Sequence, residues 1–178
     1  MPEDQKPQEP QQDKPEKTDD EKVKELLSTV VGAFNVEGAG ETMITQLDVL
    51  SSQWRQTWTA ILKHTDPEGR DEYKAMKYPP GVENPDITIR RAAYEYVVVR
   101  LIDKHVTDIE PLEPSNEHSA IVALVRRAVA TLKVIAPEDY AGVMAMLYAA
   151  PFDLDNRRAA YKAASKLFLQ KTYKLANV

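Results

Sequence analysis

The sequence predicts an all-α protein: an antiparallel helical bundle with an N-terminal helical arm and an extended acidic Pro/Gln-rich tail. Three observations point there. Apolar residues recur at three- and four-residue spacing in segment after segment. Most of these segments open on a capping side chain or proline and close on glycine or proline. Small residues gather in the C-terminal part, where they let helix axes approach toward the short end of the usual range, roughly 8 Å. One run competes, Tyr96-Val97-Val98-Val99, whose β-branched residues suit a pleated surface. Its charged flanks at helical spacing and the length of the segment favour helix.

Residues 1–19 hold no aliphatic or aromatic residue after Met1 and four of the twelve prolines. Such a segment cannot bury enough apolar area to offset its ordering entropy, so a low-complexity, disordered tail is expected. Asp19 and Asp20 then offer an N-cap, and Val23, Leu26, Leu27, Val30 and Phe34 follow at helical spacing until Gly32, Gly38 and Gly40 break the pattern. A second helix is expected from Thr42 to His64, with the stripe Met43, Leu47, Leu50, Trp54, Trp58 and Ile61-Leu62 closing it. Residues 20–64 therefore form an N-terminal helical arm, which either completes the bundle or projects from it. Residues 65–85 are a Pro/Gly-rich connector: Asp66-Pro67-Glu68-Gly69 is a turn, a short helix to Lys77 follows, and Tyr78-Pro79-Pro80-Gly81 forces a loop.

Residues 86–178 are the expected bundle. Its first helix spans about Ile87 to Val106. Ser115 caps the next, from Asn116 to Ile135, and Pro137 suits the first turn of a third that ends near Ala150-Pro151. Asp153 or Asp155 caps a last helix running to about Leu175. Ala136, Ala141, Gly142, Ala145, Ala149, Ala150, Ala159, Ala160, Ala163 and Ala164 are the small residues that bring neighbouring helices together.

The chain has 178 residues and a formal net charge of −5, unevenly spread. Residues 1–118 carry 14 basic and 24 acidic side chains, whereas residues 119–178 carry 9 and 4. Such asymmetry points to nucleic-acid contact, an anionic surface, or self-association through complementary faces. The absence of cysteine excludes disulfides, thiolate metal sites and cysteine nucleophiles. The charge-free stretch Ala141 to Phe152 is too short to span a bilayer, and Met-Pro-Glu-Asp-Gln-Lys opens the chain without an apolar signal region. A soluble, intracellular protein with no membrane span is the expectation.

Chemistry-bearing motifs are sparse. His64, His105 and His118 form neither His-x-x-x-His nor His-Glu-x-x-His. His105 and His118 flank the acidic connector of Asp108, Glu110 and Glu113, but histidines at helix ends usually cap or face solvent. Gly38-Ala39-Gly40-Glu41-Thr42 lacks the spacing and lysine of a phosphate loop and reads as a hinge. Glu138-Asp139, Asp153 and Asp155 sit at helix starts, where capping explains them. No catalytic residue, metal site or cofactor is expected, and the chain is not read as an enzyme.

Two features carry binding chemistry. Trp54 and Trp58, with Leu47 and Leu50 on the same face, are either core or a partner anchor, since large aromatics dominate both. In the final helix Arg158, Lys162, Lys166 and Lys174 make a slanting ribbon flanked by Arg157 and Lys171. That ribbon is either a solvated face or an electrostatic footprint for phosphates, extended by Arg126, Arg127 and Lys133 and by Arg90 and Arg91. No base-reading motif accompanies it, so any nucleic-acid contact would be backbone-directed.

The stretches Ala120-Ile121-Val122-Ala123-Leu124-Val125-Arg126-Arg127, Ala141-Gly142-Val143-Met144-Ala145-Met146-Leu147 and Arg157-Arg158-Ala159-Ala160-Tyr161-Lys162 give the chain its plan of tail, arm and small-residue-rich bundle. At the level of architecture, over residues 20–178, that plan resembles the helical coat (major capsid) proteins of filamentous archaeal DNA viruses. The resemblance implies a virion protein whose subunits pair with a copy of themselves or a paralogous coat subunit. Together they would wrap double-stranded DNA in A-form and hold its backbone through Arg90, Arg91, Arg126, Arg127, Arg158, Lys162 and Lys166. The alternative is a cytoplasmic helical adaptor that engages a partner protein through the Trp54/Trp58 face.

Overall fold

Most of the helices begin where a side chain or a proline can start them. The computed structural model describes residues 39–175, with side chains from Gln46 to Lys174; the expected tail and the expected helix after Asp20 lie outside the described residues. Among them every regular element is a helix: α1 Ala39–Thr65, α2 Pro67–Lys77, α3 Ile87–His105, α4 Asn116–Ile135, α5 Pro137–Leu147 and α6 Leu154–Leu175. Asp66 Oδ1 accepts from the Gly69 N–H at 3.0 Å and Asp86 Oδ1 from the Ile89 N–H at 2.9 Å. Ser115 Oγ accepts from the His118 N–H at 3.0 Å and Asp153 Oδ1 from the Asn156 N–H at 2.8 Å. Pro67 and Pro137 occupy first turns, where a missing N–H costs nothing. Thr42 is not a cap, because α1 starts at Ala39 and runs through Gly40.

The Tyr96–Val99 run lies inside α3. Val97, Val98, Leu101 and Ile102 are all buried because α1, α2, α4 and α6 cover the helix on several sides. An almost continuous apolar run is what a helix so enclosed requires.

Cross-helix partners give the directions. Ser51 and Thr172 hydroxyls meet at 2.9 Å, and Trp54 stacks on Phe168 at 4.6 Å, so α1 and α6 run antiparallel. Tyr94 lies 5.9 Å from Tyr173 while Lys162 reaches Asp103, so α3 and α6 are antiparallel too. Helix α6 touches α1, α3, α4 and α5, and Ala160 and Ala164 give it the close approach that small residues allow. The other small residues behave differently from the expectation: Ala141, Gly142, Ala145, Ala149, Ala150 and Ala159 are exposed.

The described part of the arm, residues 39–64, does not project. Trp54, Trp58 and Leu62 of α1 share one core with Tyr73 of α2, Leu101 of α3, Leu132 of α4, Val143 of α5 and Phe168 of α6. The expected divisions at residues 64–65 and 85–86 therefore fall within a continuous core. Helix α2, inside the expected connector, is fastened to α3 by Arg100, whose Nε and Nη2 reach Asp66 Oδ2 and Oδ1 at 2.5 and 3.2 Å.

Candidate functional site

Helix α6 carries three of the predicted phosphate contacts into a different task. Arg158 Nε donates to the Val106 carbonyl at 2.6 Å and Nη2 to the Asp103 carbonyl at 3.3 Å. Arg157 Nη1 donates to the Ile109 carbonyl, and Lys162 Nζ pairs with Asp103 Oδ1 at 2.5 Å. The last carbonyls of a helix have no intrahelical partner and carry partial negative charge, which is what draws Arg158 to the end of α3, while Arg157 meets the loop beyond it and Lys162 a carboxylate. Lys162 is thereby neutralised, while Arg157 and Arg158 bond neutral carbonyls and keep their charge. Lys171 pairs with Asp139 Oδ2 at 3.2 Å.

The remaining predicted cations do not join a single ribbon. Lys166 lies with Glu95, Tyr96, Val99 and Arg100 in an open groove of about 420 Å³ between α3 and α6. Arg126 is exposed on α4, and Arg127 beside it is half-buried. Arg90 and Arg91 occupy the first turn of α3, about 20 Å along that helix from the carbonyls held by Arg158.

The stripe expected to anchor a partner is consumed within the chain. Leu47, Leu50, Trp54 and Trp58 are 1, 7, 1 and 1% exposed, so the interface assigned to them, and the adaptor reading that used it, are corrected. Trp54 Nε1 donates to the Leu124 carbonyl of α4 at 2.8 Å, and the two indoles meet edge to face at 5.5 Å. The apolar surface that does face solvent lies elsewhere. It includes the outer side of α5, with Ala141, Gly142, Ala145 and Met146, and the turn after it, where Tyr148 and Phe152 are each 64% exposed; Val49, Val82 and Leu112 are exposed singly elsewhere.

Two polar clusters went unread in the sequence. At the start of α2, Arg100 joins Asp66, Glu68 and Glu72 and donates from Nη1 to the Tyr96 hydroxyl at 2.9 Å. Tyr96 donates to Glu72. The Arg100 hydrogen bonds, outweighing burial, hold the Asp66 carboxyl at about 2. Gly69 leaves room there, since a Cβ would stand 2.6 Å from Arg100 Nε and force that side chain to shift.

At the other end of α2, Arg55, Lys77, Tyr78, Arg90, Tyr94 and Tyr173 line a pocket of about 450 Å³ together with Glu83, Asn84 and Pro85. Lys77 Nζ donates to the Tyr94 hydroxyl at 3.0 Å, and the Arg55 guanidinium lies 4.1 Å from the Tyr173 ring centre and 5.5 Å from that of Tyr94. Burial raises the Tyr173 phenol to about 12 against the opposing charge of Arg55. Burial also pushes Tyr94 upward, but hydrogen bonds from Lys77 and Tyr73 and the nearby cations outweigh it, so its phenol falls below the usual value. Four separate segments supply this pocket. The sequence signals were the i, i+4 pair Arg90/Tyr94 and the cation-aromatic step Lys77-Tyr78, neither of which is specific.

Among the described residues no group of histidine, aspartate and glutamate has metal-binding geometry, and no helix is long and apolar enough to cross a membrane. His105 and His118 meet as a cap, His118 Nδ1 lying 3.1 Å from the His105 carbonyl. No family model, curated protein or solved structure matches the chain.

Proposed function

We propose that this chain is a self-assembling structural subunit that packs against a copy of itself or a paralogous subunit and holds double-stranded DNA by backbone contacts. A place in a virion, as in the coat proteins whose plan it resembles, follows from that reading. The observation that carries it is the uncharged surface from Ala141 to Phe152, with Met146, Tyr148 and Phe152 exposed at 40, 64 and 64%. Contiguous apolar surface of this kind marks an interaction face, and the opposite net charges of residues 1–118 and 119–178 favour association between unlike parts of neighbouring subunits.

The DNA part of the reading is supported by cations that retain their charge. Arg90, Arg91, Arg126 and Lys166 have no carboxylate partner among the described residues, and Arg157 and Arg158 bond only carbonyls. Lys162 drops out because Asp103 neutralises it. Sedimentation and negative-stain microscopy with and without duplex DNA test the assembly, and Tyr148→Ser with Phe152→Ser should reduce it. Duplex binding should weaken with salt, each phosphate contact adding about −0.9 to the slope of log K against log salt on B-form DNA. Arg126→Gln should flatten that slope by about one. A monomer that ignores duplex even at low salt would discard the proposal.

A further inference from the structure

We propose that the tyrosine-lined pocket at the C-terminal end of α2 binds a nucleotide-type ligand, a phosphate ester carrying a planar base. The case begins with charge. Arg55, Lys77 and Arg90 converge on one cavity, and none of them makes an ion pair with a carboxylate among the described residues. Arg55 and Lys77 are half-buried, yet their partners are neutral: the Ser51 hydroxyl at 2.9 Å from Arg55, the Tyr94 hydroxyl at 3.0 Å from Lys77, and tyrosine ring faces. A partly desolvated cation without a counter-charge is costly, and a bound anion removes that cost. Three cations against the single lining acid, Glu83, suit a doubly charged phosphate ester better than a lone carboxylate.

Shape and the remaining lining groups specify the rest of the ligand. A volume of about 450 Å³ falls in the range of small-molecule sites, roughly 300–1,000 Å³. Tyr78 stands at the rim, 61% exposed, as a platform on which a base can stack. Glu83 and Asn84 lie beside it on the loop between α2 and α3. They offer an acceptor and an amide of the kinds that read the polar edges of bases. The cations thus hold the phosphate end and the rim holds the ring. This inference does not rest on the α5 surface; it shares Arg90 with the duplex reading, and Tyr78→Ala, which touches no residue of that reading, tells the two apart.

The test titrates the full chain at low salt with adenosine monophosphate, adenosine and inorganic phosphate, followed by calorimetry. Adenosine monophosphate should bind, with adenosine weaker by about tenfold or more for want of its charge-assisted contacts and inorganic phosphate weaker by about tenfold for want of base stacking. Arg90→Gln, whose side chain is exposed, should weaken adenosine monophosphate about tenfold while leaving the thermal midpoint unchanged. Tyr78→Ala should bring it down to the level of inorganic phosphate. A free nucleotide and a nucleotide unit of a single strand share this chemistry. Displacement of adenosine monophosphate by a short single-stranded oligonucleotide assigns the strand as the source, and failure to displace it assigns the free nucleotide. No binding at low salt, binding no tighter than adenosine's, or an affinity unmoved in either variant overturns the assignment.

Discussion

The two ends of α2 present the same side-chain types in opposite electrostatic states. At its start, Arg100 meets Asp66, Glu68 and Glu72, with Lys104 adding a second cation 3.7 Å from Asp66. At its end, Arg55, Lys77 and Arg90 surround a cavity, and Arg55 and Lys77 are held by hydroxyls and tyrosine rings. Both clusters tie α2 to α3, but only the first is neutralised from within. Charge that is matched inside the fold fixes helices in place. Charge steadied by neutral partners keeps its field for something outside the chain.

Breaking the matched end should have the larger effect. Arg100→Leu leaves the Asp66 carboxylate, 5% exposed, without its main partner. Losing the charged hydrogen-bond partner of a part-buried carboxylate costs about 1.5–3 kcal/mol, read as a lower urea midpoint. Gly69→Ala strikes the same cluster sterically, because the new Cβ and Arg100 Nε cannot share the 2.6 Å between them. Overpacking of this kind costs about 1–3 kcal/mol, and the penalty should shrink in an Arg100→Ala background, where the nearest clashing atom is gone.

Acid should dissolve the same contact gradually. Asp66 sits at about 2 in the folded chain, against 3.8 for an unperturbed side chain. Its folded value is depressed, so the unfolded chain takes up the proton first as pH falls. The contribution is whole above pH 3.8 and disappears as pH approaches 2. That shift corresponds to about 2 kcal/mol. The urea midpoints of wild type and Asp66→Asn should therefore differ at pH 5 and converge near pH 2; no gap at pH 5 would mean that Asp66 acts only as a helix cap, which asparagine fills equally well.

The comparison also shows where sequence reasoning reaches its physical limit. Ser115, Pro137 and the spacing from Ile121 to Leu132 announced α4 and α5 because caps and stripes are local. The Trp54/Trp58 stripe was equally visible, but an amphipathic face looks the same whether its own chain or another covers it. The burial of both rings, with Trp54 against Leu124 and Phe168, is a tertiary fact. The period-four cations of α6 likewise cannot declare whether they meet phosphate oxygens or the carbonyls of Asp103 and Val106, which are the same kind of acceptor. Only the antiparallel placement of α3 beside α6 decides it. The pocket was least legible, since Arg55, Lys77, Arg90 and Tyr173 come together only when α1, α2, α3 and α6 have packed.

The smallest expected effect separates the two ends most sharply. Arg90 is exposed and makes no ion pair among the described residues, so Arg90→Gln removes a charge without orphaning a partner. Surface substitutions of that sort stay within about 0.5 kcal/mol of wild type. Removing one of three neighbouring like charges also lowers their mutual repulsion, which sets the expected sign as neutral to slightly stabilising. The urea midpoint should accordingly hold or rise, whereas Arg100→Leu lowers it. A loss of more than about 1 kcal/mol in Arg90→Gln, beyond what exposed sites show, would mean that the pocket cations also fasten the fold. The distinction between the two ends of α2 would then fail at its electrostatic premise.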